Sequence, residues 1–157
     1  MNVKKITALA TAALAIVALS GCSLSREVAS LDMYAPSDGV QHDIEQLKAR
    51  NVMFLKGKSG NAILIGSFVN SGMEPVIATI QTTDASGEPV SVAFEVEAGK
   101  KFDLGYNGVE GIVVPLSGKP GSMHSIYLSD GNDPQEIKVP ILDGTLAEYR
   151  PFVEALN

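Results

Sequence analysis

From Val40 to Leu142 apolar and polar residues exchange places every one or two positions. Turn residues interrupt this pattern at roughly the 8–12-residue spacing of a sandwich or barrel. Val40, His42 and Ile44 alternate with polar neighbours, whereas Leu47 to Lys56 contains the continuous run Val52-Met53-Phe54-Leu55 and closes on Lys56-Gly57-Lys58-Ser59-Gly60. Ala62 to Asn70 is apolar on both faces, with Ile63, Ile65 and Val69 on one and Ala62, Leu64 and Phe68 on the other; this predicts a strand in the middle of the structure. Pro75 to Thr83 and Val90 to Val96 alternate on either side of Asp84-Ala85-Ser86-Gly87, a hairpin-type turn. Phe102 to Leu104, Val109 to Leu116, Ser122 to Ser129 and Glu136 to Leu142 follow, with Pro115 marking a strand end. The pattern predicts an all-β domain over residues 40–142, an Ig-like or cupredoxin-like β-sandwich of about eight strands. In the tail, residues 143–157, the spacing of Leu146, Tyr149, Phe152 and Val153 predicts a short helical turn, interrupted by Pro151, that packs on the sandwich and covers an edge.

The N-terminus follows another pattern. Lys4 and Lys5 precede an apolar run from Ile6 to Leu19, broken only by Thr7 and Thr11. An apolar stretch of roughly 7–15 residues is a signal-peptide core, whereas a membrane-spanning helix needs about 20. Leu19-Ser20-Gly21-Cys22 resembles the lipobox of bacterial lipoproteins. That resemblance implies a signal peptide over residues 1–21, a diacylglyceryl group on the thiol of Cys22, and a lipidated tether over residues 22–39. Two acyl chains, each stabilised by about 0.8 kcal/mol per buried CH₂, hold a protein on a membrane where one chain does not. The expected location is therefore the extracytoplasmic face of the cell membrane. Ser23 stands where a retention-type aspartate would follow the lipidated cysteine.

Composition narrows the partners. Cys22 is the only cysteine, so an exported domain has no internal disulfide and must rely on its core. Removal of residues 1–21 from the 157 leaves 136, enough for one domain. It also takes Lys4 and Lys5 from the 12 Lys and Arg, leaving 10 against 18 acidic residues, a net −8. An acidic chain without a basic cluster argues against nucleic acid as a partner and makes lipid the membrane attachment.

Asn70-Ser71-Gly72-Met73-Glu74-Pro75 resembles the Asn-Thr/Ser-Gly-acidic-Glu-Pro turn of the periplasmic PCu(A)C-type copper chaperones. Val96-Glu97-Ala98-Gly99-Lys100-Lys101-Phe102-Asp103-Leu104 is similar to that family's Val/Leu-Pro-Ala-Gly-x-x-Val-x-Leu segment, and Asn107-Gly108-Val109-Glu110-Gly111-Ile112-Val113-Val114 follows at the family's distance. The segment around Ile137-Lys138-Val139-Pro140-Ile141 matches the terminal strand approximately. The resemblance spans Val40 to Leu142 and, within that superfamily, is greatest to ligand-poor lipoproteins of actinobacteria. It implies a copper site of two His and two Met, ligands suited to Cu(I). Glu110 and Ile112 stand where the family has its His-x-Met, and the hairpin between Ile80 and Phe94 contains neither His nor Met. The family's four ligands are therefore not carried over.

Other chemistry is sparse. Met123-His124 is the one adjacent Met/His pair, and strand neighbours point to opposite faces. No Gly-x-Ser-x-Gly, His-Glu-x-x-His or phosphate-loop motif occurs. Ser122 and Ser125 flank His124 too closely along a strand to form a triad. Asp130, Asn132 and Asp133 lack the twelfth-position glutamate of a calcium loop. The expected protein is a non-enzymatic surface lipoprotein without a cofactor, whose sandwich is a binding or structural module with an envelope protein or ligand as its partner. Its candidate partner surface is Val109, Ile112, Val113 and Val114. The alternative is a copper-handling lipoprotein that uses Met123 and His124.

Overall fold

The computed structural model describes residues 36–157. The expected signal peptide with Leu19, Ser20 and Gly21, the expected lipidation site Cys22 and most of the expected tether lie outside the described residues.

Nine strands run among them: β1 (Val40–Ile44), β2 (Leu47–Lys56), β3 (Asn61–Asn70), β4 (Val76–Thr83), β5 (Pro89–Val96), β6 (Lys101–Leu104), β7 (Ile112–Pro115), β8 (Met123–Ser129) and β9 (Gln135–Leu142). They form an all-β sandwich-like fold in the strand order β5-β4-β8-β9-β2-β3-β6. One layer is β5, β4, β8 and β9; the other is β2 and β3 with β1, β6 and β7. The layers join where β9 runs parallel to β2, Phe54 opposite Ile141 and Leu55 opposite Leu142, so the sandwich closes on that side like a barrel. β3 has two short partners on one edge. Residues 61–64 of β3 pair with β7, and residues 66–69 pair with β6.

The main core lies between the layers and includes Phe54, Leu64, Phe68, Ile80, Ile126, Leu128 and Ile141. On the open side Phe94 of β5 stacks on Phe102 of β6, ring centres 4.4 Å apart, and meets Phe68 edge-on at 5.0 Å. These contacts draw the two free edges together.

The continuous run Val52–Leu55 has two causes. The register of β2 against β3 shifts between Arg50 and Met53, where Asn51 adopts φ 52°. A bulge reverses which residues face inward. Leu47 and Ala49 point into the main core before it, Val52 and Phe54 after it. Met53 and Leu55 then point outward, where with Ile65 they form a second buried cluster. Tyr149, Phe152 and Val153 of the tail and Tyr106 of the β6–β7 loop cover that cluster. Tyr106 and Phe152 meet edge to face at 5.6 Å.

The tail therefore covers an outer face, whereas the expectation was an edge. Its helix, α1 (Arg150–Glu154), carries Pro151 in its first turn. Proline starts this helix and does not interrupt it, because a first-turn N–H has no intrahelical acceptor to lose. The end of the tether also belongs to the folded unit. Gly39 N–H donates to Asn51 Oδ1 at 2.9 Å, and the Tyr149 hydroxyl donates to Asp38 Oδ2 at 2.7 Å.

Candidate functional site

Alternation along β8 separates Met123 from His124. Met123 is 54 % exposed on the outer face. His124 turns inward, where Nε2 and Thr82 Oγ1 share a 2.9 Å hydrogen bond and Phe54 meets the ring edge-on at 5.5 Å. Burial pushes its pKa below the usual histidine value, against an opposing pull from the Thr83 backbone. The imidazole is thus a half-buried group packed on the core residue Phe54. His42 is engaged elsewhere, through Nε2 to Gln135 Oε1 at 2.8 Å.

The serines beside His124 also have partners. Ser125 Oγ donates to Glu136 Oε1 at 2.6 Å, and Ser122 Oγ donates to the Lys119 carbonyl at 2.7 Å. Met53 is buried in the second cluster, and Met73 is exposed in the β3–β4 turn. Among the described residues no group of three or more His, Cys, Asp or Glu side chains is placed to hold a metal ion.

The segment expected to form a partner surface divides by face. β7 places Ile112 opposite Leu64 and Val114 opposite Ala62. Both side chains join the main core, Val114 being 1 % exposed. Val113, opposite Ile63, points outward and is 52 % exposed, and Val109 in the preceding loop is also exposed. Of the four residues expected to form a surface, Ile112 and Val114 are buried and only Val109 and Val113 are exposed, because consecutive residues of a strand point to opposite sides. Glu110 is exposed beside it.

The β4–β5 turn reaches the far end of β7, where Ala85 N–H donates to the Pro115 carbonyl at 2.9 Å. Asp84 Oδ1 organises this turn by accepting from Ser86 N–H at 2.8 Å and Glu88 N–H at 3.0 Å. The Ser86 hydroxyl, which donates to the same oxygen at 2.6 Å, and then these backbone bonds hold its carboxyl below the usual range.

A polar cluster fixes the β6–β7 loop. Asp103 accepts hydrogen bonds from Ser67 Oγ at 2.6 Å and Asn107 Nδ2 at 2.7 Å, and pairs with Lys101 Nζ at 2.7 Å. Burial alone would raise the Asp103 pKa, but Lys101, Ser67 and Asn107 together bring it below the ordinary carboxylate value. This holds Tyr106 over the second cluster.

Two adjoining clefts lie where the tail meets the sandwich, one of about 560 Å³ and one of about 300 Å³. They share Pro120 and Asp143. The smaller contains Asp38, Leu146 and Tyr149, while Lys56, Lys58 and Arg150 line the larger. No sequence motif marks these three cations, because residues 56–58 and 150 meet only through the docking of the tail. Lys58 N–H donates to Asn157 Oδ1 at 2.7 Å, and Ser59 Oγ to the Leu156 carbonyl at 2.6 Å, which clamps the tail to the β2–β3 turn.

No protein-family model matches the chain, and no curated protein matches it significantly.

Proposed function

We propose that this protein is a membrane-anchored surface lipoprotein whose β-sandwich is a non-catalytic binding or structural module, related to the PCu(A)C-type copper chaperones but without their His/Met ligands. The observation that carries the anchor is Leu19-Ser20-Gly21-Cys22 at the end of a short apolar run. The non-catalytic reading is supported by the engagement of His124, Ser122 and Ser125, each held by a neighbour within the fold. The anchor places the domain on the extracytoplasmic face of the membrane, and Asp38 marks where the tether enters the domain. The surface assigned to an envelope partner is the exposed pair Val109 and Val113 beside the tail-covered face.

The test is metabolic labelling of the full chain with an alkyne-tagged fatty acid in a bacterial host. Label in the membrane fraction that disappears in Cys22→Ala is expected. Equal labelling of both forms, or an unlabelled wild type, would refute the anchor. The partner surface is tested by crosslinking from a photoreactive residue at position 113. A discrete envelope product absent when the probe is moved to Ser91 is expected, and identical products from both positions would remove the assignment.

A further inference from the structure

We propose that the larger cleft beside the tail is a binding site for a phosphate group carried on a small organic body. The inference stands on the cleft alone and is independent of the lipid anchor. The larger cleft is lined by the three cations Lys56, Lys58 and Arg150 and by the side-chain carboxylates Asp143 and Glu154, with Asn157 beside them. Among the described residues none of the three cations belongs to an ion pair. Lys56 and Arg150 are instead positioned by uncharged acceptors. Lys56 Nζ donates to the Leu116 carbonyl and, at 2.7 Å, to that of Gly118. Arg150 donates from Nε to the Gly144 carbonyl at 3.4 Å and from Nη2 to the Thr145 carbonyl at 3.3 Å.

Carbonyl acceptors hold a cation in place without cancelling its charge. An ammonium has three N–H donors and a guanidinium five, so both retain donors for a ligand. Lys58 Nζ has no hydrogen-bond partner among the described residues. Asp143 does not neutralise the group by pairing with it: its Oδ1 accepts the Thr145 N–H at 2.9 Å within its own loop. Glu154 is the other side-chain carboxylate in the lining. A forked guanidinium with two ammonium groups suits the oxygens of a phosphate, which accept several charge-assisted hydrogen bonds at once. A cleft of about 560 Å³ falls within the size range of small-ligand sites, and Val153 and Pro120 line it beside the charges. The phosphate can come from a soluble phosphate ester or from a lipid headgroup, and the recognising chemistry is the same.

The experiment is an amide-shift NMR titration of the full chain in non-ionic detergent. Inorganic phosphate is the probe, with sodium chloride at matched ionic strength as the reference. A second arm measures co-sedimentation with vesicles of phosphatidylglycerol and phosphatidylcholine against vesicles of phosphatidylcholine alone. Saturable phosphate-specific shifts at Gly57, Lys58, Gly144 and Thr145 are expected, weakened at least tenfold in Lys58→Ala/Arg150→Ala. Because Arg150 also supports its loop, Lys58→Ala is measured alone and should weaken binding about threefold with an unchanged spectrum elsewhere. Binding of inorganic phosphate without phosphatidylglycerol-dependent sedimentation identifies a soluble ester as the natural class. Phosphatidylglycerol-dependent sedimentation that requires Lys58 and Arg150, with or without binding of inorganic phosphate, identifies the headgroup. Shifts equal to those from chloride together with vesicle binding indifferent to both substitutions would overturn the site.

Discussion

Asn70 offers the sharpest test of how the turn chemistry holds the sandwich together. Its side chain is completely buried. Nδ2 donates to the Glu74 carbonyl at 2.7 Å and to the Val96 carbonyl at 3.0 Å, while Oδ1 accepts the Gly72 N–H at 2.8 Å. One amide thereby joins the end of β3, the β3–β4 turn and the end of β5. Three neutral hydrogen bonds at about 1 kcal/mol each put the cost of Asn70→Ala at about 3 kcal/mol. For a domain of this size that lowers Tm by about 10 °C. Asn70→Asp keeps the shape but turns an ionised oxygen toward two carbonyl oxygens, so at neutral pH it should cost about 1 kcal/mol more than alanine. Its carboxyl would be held above the usual range, because only the protonated form can donate to one of those carbonyls. The folded state then binds the proton more tightly than the unfolded state, so acidification should recover stability in Asn70→Asp relative to Asn70→Ala. Urea unfolding of the full chain, followed by circular dichroism from neutral pH to pH 4, measures both effects. A loss below about 0.5 kcal/mol in Asn70→Ala would place it among ordinary surface substitutions and refute the buried clamp. So would identical pH profiles for the two variants.

Three further outcomes follow from the assigned faces. Val114→Asp should prevent stable folding, since an unpaired carboxylate would enter the main core, whereas Val113→Asp should change stability by less than about 0.5 kcal/mol; melting curves of the two decide whether β7 has the stated register. His124 has a folded pKa below the ordinary value of 6.5, so as pH falls through that value the unfolded chain takes up a proton that the folded chain declines. Stability should therefore drop below about pH 6.5 and level off once the folded imidazole also titrates, and urea midpoints of His124→Gln should lack that part of the slope. In a Cu(I) competition titration against a chromogenic chelator, the separation of Met123 and His124 leads us to expect no stoichiometric binding. Binding tighter than about micromolar that disappears in Met123→Leu/His124→Ala would establish the copper reading instead.

Much of the fold was legible in the chain because strand alternation and turn chemistry are short-range properties. Leu47 to Lys56, the two-sided strand ending at Asn70, the Asp84–Gly87 turn and the strand end at Pro115 all occur where residue order predicts them. Asn70-Ser71-Gly72 is a local signature because its acceptor and donor lie within four residues of one another. The same signature contained no hint of the Val96 carbonyl, which arrives from another strand.

What only the tertiary structure decided concerns which face of a strand is covered and by what. Ile112 to Leu116 is uniformly apolar in sequence, yet the pairing of β7 with β3 buries Ile112 and Val114 and leaves Val113 exposed. Val52-Met53-Phe54-Leu55 required a bulge at Asn51 and a second cover supplied by residues about 50 to 100 positions later in the chain. Lys56, Lys58 and Arg150 became neighbours only when the tail docked. Alternation determines that a strand has two faces, whereas the assignment of each face to core, tail or solvent comes from burial shared among distant segments, which no short window of residues contains.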